Sequence, residues 1–263
     1  MMSVIPANIH IESTGSGSNL VLLHGWGMNS AVWEPITQRL SRHFTLHLVD
    51  LPGMGLSRPT EPYHLHILAE KIAEMLPSNA DVVGWSLGGQ VAMRIALDYP
   101  DILRKLVLVS STPCFVNKKG WAAGITSDIF NSFADNVNAD YQNTMMQFLA
   151  LQCMGASDSR RTVKLLRKKF AERPVPTLQT MQKALNILLE TDLRVEVSKI
   201  RKNTLLIHGD RDTLAPVQAA HWMVQNLPNA YLRVIAGASH APFLSHSDQF
   251  IDTLVDFLID NPS

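Results

Sequence analysis

The sequence has few cysteines, no long apolar runs and no excess of charge of one sign. Two cysteines, Cys114 and Cys153, cannot form a disulfide framework and suit a reducing compartment. Lys plus Arg number 23 and Asp plus Glu also number 23, which argues against a globally basic nucleic-acid binder. Apolar runs such as 20–23 and 106–109 are far shorter than the roughly 20 residues of a membrane span. We therefore expect a cytoplasmic protein that binds neither nucleic acid nor membrane.

Two other signals are missing as well. The first residues, MMSVIPANIHIES, contain no basic stretch followed by an apolar one, so we expect no secretory signal. No Cys/His cluster has the spacing of a zinc site, because His43 and His47 share one face of a predicted strand and His64 and His66 flank a helix start. We therefore expect no metal.

Short apolar runs alternate with helical patterns along most of the chain. Runs of this kind are typical of strands that are buried on both faces of a parallel sheet. The alternation predicts an α/β protein with right-handed crossovers and an open, mostly parallel sheet. The predicted strands are 19–24, 44–50, 80–84, 103–110, 204–208 and 231–235, and the predicted helices between and after them are 64–76, 87–99 and 248–259.

The alternation stops over residues 115–190, where the pattern is helical without a convincing strand. The predicted helices there are 129–133, 141–154, 158–172 and 177–190. Because ligands of open α/β sheets bind at the carboxyl ends of the strands, we expect this insertion to form a cap over the site. The core would then consist of residues 1–114 and 191–263. The alternative is that the insertion is only a packing layer.

The strongest chemical signal is GWSLGG, residues 84–89, between a predicted strand and a predicted helix. A serine on so tight a turn adopts a strained backbone, and the strand and helix approach closely only if Gly84 and Gly88 are small. The turn would raise the Ser86 hydroxyl above the sheet and place the Leu87 N–H at the positive end of a helix. Ser86 is therefore the predicted nucleophile.

A serine nucleophile needs a base, and the base needs a carboxylate to orient it. The loop GASH follows the strand 231–235 and makes His240 the predicted base, with His246 as its rival. The loop GDRD follows the strand 204–208, and we prefer Asp212 as the acid. Asp210, beside Arg211, has the character of a carboxylate that braces the loop, and Asp50 is a third candidate.

An oxyanion hole requires two N–H donors aimed at the charge that develops on the attacked carbonyl oxygen. The Leu87 N–H is one predicted donor. The other is the backbone N–H of Trp26 in the loop HGWG, whose glycines allow that N–H to turn inward. The Trp26 indole would wall the acyl pocket, unless it is simply a core aromatic. We interpret His24 as a structural residue that hydrogen-bonds the turn.

The loop DLPGMGLS, residues 50–57, has a composition that suggests phosphate binding. Its spacing is not that of a phosphate-binding P-loop, and it contains no lysine to meet a phosphate. We interpret it as a tight structural loop.

These motifs together resemble the α/β-hydrolase superfamily, and within it the pimeloyl-[acyl-carrier protein] methyl ester esterases of biotin synthesis. The GWSLGG turn and the order Ser, Asp, His identify only the superfamily, whereas the Trp of HGWG and the strings STPCF and FLALQ are specific to the narrower family. The residues that carry the resemblance are HGWGMNSAVW (24–33), HFTLHLVDLPGMGLSR (43–58), GWSLGGQVA (84–92), STPCF (111–115), FLALQCMG (148–155) and SHAPFLSHS (239–247).

The resemblance implies a cytoplasmic, cofactor-free carboxylesterase, which we expect to act as a monomer. It would remove the methyl group from pimeloyl-carrier-protein methyl ester and so free a carboxylate. The resemblance also implies that Ser86, Asp212 and His240 form the triad. The residues implied to contact substrate are Trp26, Ser86, Leu87, Phe148, Leu149, Ala150, Leu151, Gln152 and His240.

A basic helix within the insertion suggests where an acidic carrier protein would dock. Residues 160–173 contain seven basic side chains and one acidic one, so 7 − 1 leaves a local charge of +6. Opposite charge would steer the carrier to this face. The alternative is an ordinary solvated helix face, and the uncharged Asn143 and Gln147 on the preceding helix do not widen the basic region. The basic residues at helical spacing are Arg160, Lys164, Arg167 and Lys168.

Other functions fit parts of the same pattern. A hydrolase of small esters or of carbon–carbon bonds would use the same serine, histidine and aspartate. A binding protein with this fold and a vestigial triad is a rival of a different class. A haloalkane dehalogenase is disfavoured, because it would need a carboxylate where Ser86 stands.

Overall fold

The described residues of this computed structural model, 9–156 and 159–259, contain one seven-stranded sheet in the order β1-β3-β2-β4-β5-β6-β7. All neighbouring strands are parallel except β1 and β3, so the predicted, mostly parallel sheet is confirmed. The strands are β1 (Ile11–Gly15), β2 (Ser18–Leu23), β3 (Phe44–Val49), β4 (Ala80–Trp85), β5 (Leu103–Val109), β6 (Thr204–Gly209) and β7 (Ala230–Ile235). β1 was not predicted, because this edge strand is polar and mostly exposed.

Helices connect the strands and pack against the sheet, as α3 does on β4 and β5 and as α8 does on β6 and β7. Three short helices, α1, α8 and α9, were not predicted. The helices are α1 (Glu34–Leu40), α2 (Leu65–Ala73), α3 (Leu87–Asp98), α4 (Ser127–Ala139), α5 (Tyr141–Leu151), α6 (Ser159–Ala171), α7 (Leu178–Glu190), α8 (Val217–Asn226), α9 (Pro242–Ser245) and α10 (Ser247–Ile259). Within the described ranges, none of them is both long and apolar enough to cross a bilayer.

The register of the central strands brings their carboxyl ends to one edge of the sheet. Leu23 pairs with Gly84, Trp85 with Val109, and Gly209 with Ile235. The loops that follow β2, β4, β6 and β7 therefore begin beside one another. Loops at this edge are where open α/β sheets bind their ligands.

Helices α4–α7, here called the inserted helices, lie between β5 and β6 in the chain. α4 is longer than predicted, and α5 ends at Leu151 because residues 152–155 form a turn. α6 begins at Ser159, and the predicted start at Asp158 lies outside the described residues. The predicted division into a core and a cap over residues 115–190 stays a prediction.

Candidate active site

Ser86 lies on a strained turn between β4 and α3. Its φ and ψ are 56° and −118°, a conformation that L-residues rarely adopt. The turn is possible because its neighbours are glycines: a Cβ at Gly84 would overlap the Gly88 carbonyl group, and one at Gly88 would overlap the Leu23 carbonyl group. The Ser86 N–H donates to the Val109 oxygen at 3.0 Å, which fixes the turn to β5. The serine hydroxyl is thereby held at the carboxyl edge of the sheet.

His240 joins Ser86 to Asp212 through its two ring nitrogens. Its Nε2 lies 3.0 Å from Ser86 Oγ, and its Nδ1 lies 2.8 Å from Asp212 Oδ2. All three residues are buried. The His240 backbone is held on both sides, since its N–H donates to the Gln152 oxygen at 3.1 Å and its oxygen accepts the Trp85 indole N–H at 2.7 Å. Such a chain can draw the proton from the serine hydroxyl.

Asp212 is held as an ionised acceptor. Its Oδ1 accepts the N–H groups of Leu214 and Ala215 at 2.9 and 3.0 Å, which leaves Oδ2 for His240. Burial alone would raise the pKa of this carboxyl, but the charge and hydrogen bond of His240 outweigh burial and lower it. The carboxylate therefore sets the tautomer in which Nδ1 of His240 carries a proton.

The rival side chains make other bonds. Asp210 Oδ1 accepts the Gly237 N–H at 2.7 Å and so ties together the two loops that carry Asp212 and His240. Asp50 accepts the N–H groups of Ser30 and Leu56, which agrees with a structural role for the loop 50–57. His246 Nδ1 contacts its neighbour Ser245 at 2.9 Å.

The two predicted oxyanion donors are unpaired. Within residues 9–156 and 159–259, the backbone N–H groups of Trp26 and Leu87 have no hydrogen-bond partner. His24 braces the start of the loop, because its Nε2 accepts the Leu51 N–H at 2.9 Å while its Nδ1 lies 2.8 Å from the Gly25 oxygen. Burial lowers the pKa of His24, so the ring is neutral with its proton on Nδ1. The roles of Trp26 and Leu87 stay predictions.

Ser86 and His240 open into an apolar cavity of about 110 Å³. Helices α4, α5 and α7 supply much of its wall, and the hydroxyl and imidazole are its polar groups. A cavity of this kind suits an uncharged, largely hydrocarbon ligand. The lining residues are Trp26, Ser86, Phe115, Ile125, Ile129, Phe130, Phe133, Phe148, Leu151, Leu185, Leu188, Leu214 and His240.

The segment 148–152 reaches this cavity with only two of its five side chains. Phe148 and Leu151, three residues apart on α5, line the wall. Leu149 points into the core and is fully buried, and Ala150 borders a separate surface groove. Gln152 contacts His240 through its backbone carbonyl, while its buried amide has no hydrogen-bond partner among the described residues. Leu87 also lies off the cavity wall, so its expected contribution is its N–H.

Most residues of the cavity wall were not predicted from the sequence. Phe115, Phe130 and Phe133 carried a signal, because they are aromatics in the inserted segment or directly before it. Leu185, Leu188 and Leu214 carried none, since a leucine that lines a cavity and one that packs in the core look alike in a sequence.

The basic surface of α6 is narrower than its composition suggested. Lys169 is buried and forms ion pairs with Glu34 and Glu172, and Arg173 pairs with Glu12. Arg160, Lys164, Arg167 and Lys168 are exposed, and no carboxylate of the described residues lies within ion-pair distance of them. We call these four side chains the basic face.

A surface groove lies beside the basic face, between α5 and α6. Leu151 lines both this groove and the apolar cavity, and Arg160 lines the groove and belongs to the basic face. The groove is therefore adjacent to both the cavity and the basic face. Its lining residues are Gln147, Ala150, Leu151, Met154, Gly155, Ser159, Arg160 and Val163.

Comparison with known proteins agrees with this architecture. A family model described as the alpha/beta hydrolase fold matches residues 19–247. The chain is 46% identical over 245 residues to the pimeloyl-[acyl-carrier protein] methyl ester esterase of Nitrosomonas europaea, covering 93% of this chain and 97% of the relative. It is 40% identical over 249 residues to the protein of the same name from Vibrio cholerae, covering 95% and 97%.

Solved structures show the same fold. An esterase from Exiguobacterium antarcticum superposes with a TM-score of 0.87 at 25% identity, covering 97% of this chain and 98% of that chain. A bromoperoxidase from Bacillus anthracis superposes with a TM-score of 0.86 at 24% identity, covering 96% and 95%. Because these two proteins have different names, the likeness establishes the fold and leaves the reaction to the site.

Proposed function

Because this chain belongs to the pimeloyl-[acyl-carrier protein] methyl ester esterase family of α/β hydrolases, we propose that it hydrolyses the methyl ester of a carrier-bound pimeloyl group. The products are methanol and the free carboxylate, whose formation would end chain elongation. The observation that carries the proposal is the hydrogen-bond chain from Ser86 through His240 to Asp212 at the wall of an apolar cavity.

The reaction proceeds in two halves. His240 Nε2 takes the proton of Ser86 as Oγ bonds to the ester carbonyl carbon, and the oxyanion accepts the N–H groups of Trp26 and Leu87. The carbon–oxygen bond to the methoxy group then breaks, and His240 returns the proton to release methanol. Water, deprotonated by His240, then attacks the carbonyl carbon of the acyl-enzyme. The bond from that carbon to Ser86 Oγ breaks, and His240 returns the proton to Oγ. Asp212 stabilises the imidazolium formed in each half.

The cavity favours the ester over the acid that it becomes. A pimeloyl methyl ester presents methylene groups and an uncharged end, which match a wall of phenylalanine and leucine side chains. The product carries a carboxylate, and an ionised carboxylate is costly to keep among apolar groups without a cationic partner. This difference in solvation favours product release.

The carrier protein would dock on the basic face. Carrier proteins are acidic, and the four exposed cations of α6 supply the opposite charge. The groove that Leu151 and Arg160 line offers a path along which a pantetheine arm extends toward the cavity. Residues 115–190 would act as the cap over the site. We propose that the protein acts as a cytoplasmic monomer, and its two free, buried cysteines are compatible with a reducing compartment.

The test is hydrolysis of pimeloyl-carrier-protein methyl ester by the purified protein, with Ser86→Ala as the matched control. We expect turnover by the wild type and a loss of about 10⁶-fold in kcat for the variant, as when a serine nucleophile is removed elsewhere. Complementation of a biotin-requiring strain that lacks its methyl ester esterase tests the biological role.

The outcomes separate the rival functions. Cleavage of p-nitrophenyl esters without turnover of the carrier-bound ester would indicate a generic esterase. Turnover only of a substrate in which a carbon–carbon bond is cleaved would indicate a carbon–carbon bond hydrolase. Binding without any hydrolysis would indicate a receptor with an inactive site.

A further inference from the structure

We infer that the inserted helices position the oxyanion loop, residues 24–27, and that Met145 and Met181 are positioning residues for the reaction. This inference rests on the proposed serine esterase function. The juxtaposition that carries it is the contact of two helices, α5 and α7, with the single loop that carries the Trp26 N–H.

The two ends of the oxyanion loop are held by different parts of the molecule. At the start of the loop, His24 Nε2 accepts the N–H of Leu51, a residue of the loop that follows β3 at the carboxyl edge of the sheet. Gly27 follows with φ +71°, and Gly25 precedes Trp26, so the intervening peptide has more backbone freedom than most. The Gly25 carbonyl, which shares a peptide plane with the Trp26 N–H, lies 2.8 Å from His24 Nδ1 and accepts the Met28 N–H at 3.2 Å. These bonds orient the N–H within the loop, and contacts from outside the loop determine where the loop as a whole lies.

The Trp26 side chain is held by the inserted helices. Its indole N–H donates to the Met181 carbonyl oxygen of α7 at 3.0 Å, in a buried bond. Its ring meets Phe133 of α4 at 5.5 Å and Phe148 of α5 at 5.0 Å, both edge to face. One side chain thus contacts three of the inserted helices, while the backbone N–H of the same residue has no hydrogen-bond partner among residues 9–156 and 159–259.

The loop backbone also touches the inserted helices directly. A Cβ at Gly27 would lie 2.7 Å from Met145 Cε and 2.9 Å from Met181 Cε, so these two methyl groups cover the glycine. Both methionines are fully buried, and neither is among the residues that line the cavity. Their truncation therefore leaves the cavity-lining side chains in place and removes the packing against Gly27.

The consequence is that the oxyanion hole is complete only while the inserted helices are packed against the oxyanion loop. A displacement that opened the cavity would also release the indole bond and the methyl contacts of the loop. An oxyanion donor contributes only when it is aimed at the developing charge, and a small misplacement lowers kcat without weakening substrate binding equally.

The experiment compares the double variant Met145→Ala/Met181→Ala with Met223→Ala, a buried methionine of α8 that serves as the matched control. The substrate is p-nitrophenyl butyrate, and reaction with a fluorophosphonate counts the competent serines. We expect the double variant to lose about tenfold in kcat per competent serine with KM within about twofold. Its affinity for a trifluoromethyl ketone, which forms an oxyanion on Ser86, should fall by a similar factor.

Two further variants keep the test decisive. Met145→Leu/Met181→Leu restores the packing and should recover most of kcat, because volume-conserving swaps are tolerated. Trp26→Phe removes the indole donor and should lower kcat and the ketone affinity together. If the alanine double variant folds and matches Met223→Ala in kcat and ketone affinity, the inference is overturned. If Ser86 in the wild type does not react with the fluorophosphonate, it is the proposed function that fails.

Discussion

The sheet-edge loops and the inserted helices hold their side chains in different ways. In the loops, backbone geometry and directional hydrogen bonds fix single atoms. Ser86 lies on a tight turn with φ 56°, which its N–H fixes to Val109, and two backbone N–H groups hold the Asp212 carboxylate. In the inserted helices, apolar packing fixes a volume: the Phe133 and Phe148 rings lie 5.4 Å apart and form part of the cavity wall.

This difference assigns different roles to the two regions. Directional bonds hold the atoms that transfer protons, where a small displacement lowers the rate. Non-directional packing defines which ligand fits and tolerates substitutions of similar volume. Changes in the loops should therefore alter kcat, and changes in the inserted helices should alter KM or stability, with Met145 and Met181 as the proposed exception.

The largest expected effect separates two carboxylates of one loop. Asp212→Asn keeps the shape but favours the wrong tautomer of His240, and we expect kcat to fall about 10⁴-fold. Asp210→Asn retains an oxygen that accepts the Gly237 N–H, so its kcat should stay near that of the wild type. Steady-state kinetics on p-nitrophenyl butyrate measure both. Equal losses would mean that Asp210 also supports the base.

Much of the sheet and of the loops at its carboxyl edge could be predicted from the sequence, because the signals of these elements are local. Strands buried on both faces are continuous apolar runs, and the turn at Ser86 requires Gly84 and Gly88 nearby in the chain. The preference for Asp212 over Asp210 also had a local basis, and the structure brings only Asp212 of the two to His240.

What could not be predicted depends on contacts between distant residues. β1 is recognised only through its pairing with β3, since its own side chains are polar and exposed. The charge of residues 160–173 is partly neutralised in the fold, because Lys169 pairs with Glu34 and Arg173 pairs with Glu12, both far away in the chain. Which side chains of 148–152 meet the cavity depends on how α5 is rotated in the fold.

Two adjacent residues of α5 test the division of roles within the inserted helices. Phe148→Ala enlarges the cavity, and we expect KM for pimeloyl-carrier-protein methyl ester to rise about tenfold, from the loss of roughly 1.4 kcal/mol of apolar contact. Leu149→Ala leaves a void in the core and should lower the free energy of unfolding by about 2–5 kcal/mol with little change in KM. Urea unfolding and kinetics of both variants measure this split, and a raised KM for Leu149→Ala would contradict it.

A buried histidine of β6, His208, makes the free energy of unfolding sensitive to acid. Burial lowers the pKa of His208 to about 4, although the charge of Asp212 works in the opposite direction. In the unfolded chain His208 takes up a proton near pH 6.5, so below that pH the unfolded state binds more protons. The free energy of unfolding should therefore fall by up to about 3 kcal/mol between pH 6.5 and pH 4 from this residue alone.

Urea unfolding of the wild type and of His208→Gln at several pH values checks this effect. Glutamine does not titrate, so the variant should lose less stability on acidification even if it is less stable at pH 7. The same slope in both proteins would show that other groups, such as the buried His24, dominate the acid response.

The smallest expected effect concerns the surface of the inserted helices. Lys164→Glu/Arg167→Glu reverses two charges of the basic face, and we expect kcat/KM for pimeloyl-carrier-protein methyl ester to fall about tenfold at low salt. The difference should shrink toward 0.5 M salt, because screening shortens the reach of exposed charges. Hydrolysis of dimethyl pimelate, which has no carrier, should be unchanged. Lys199→Glu/Arg201→Glu is the control with the same change in net charge, since both exposed cations precede β6 at the opposite edge of the sheet. An equal loss there would show that net charge alone, rather than the basic face, governs the encounter.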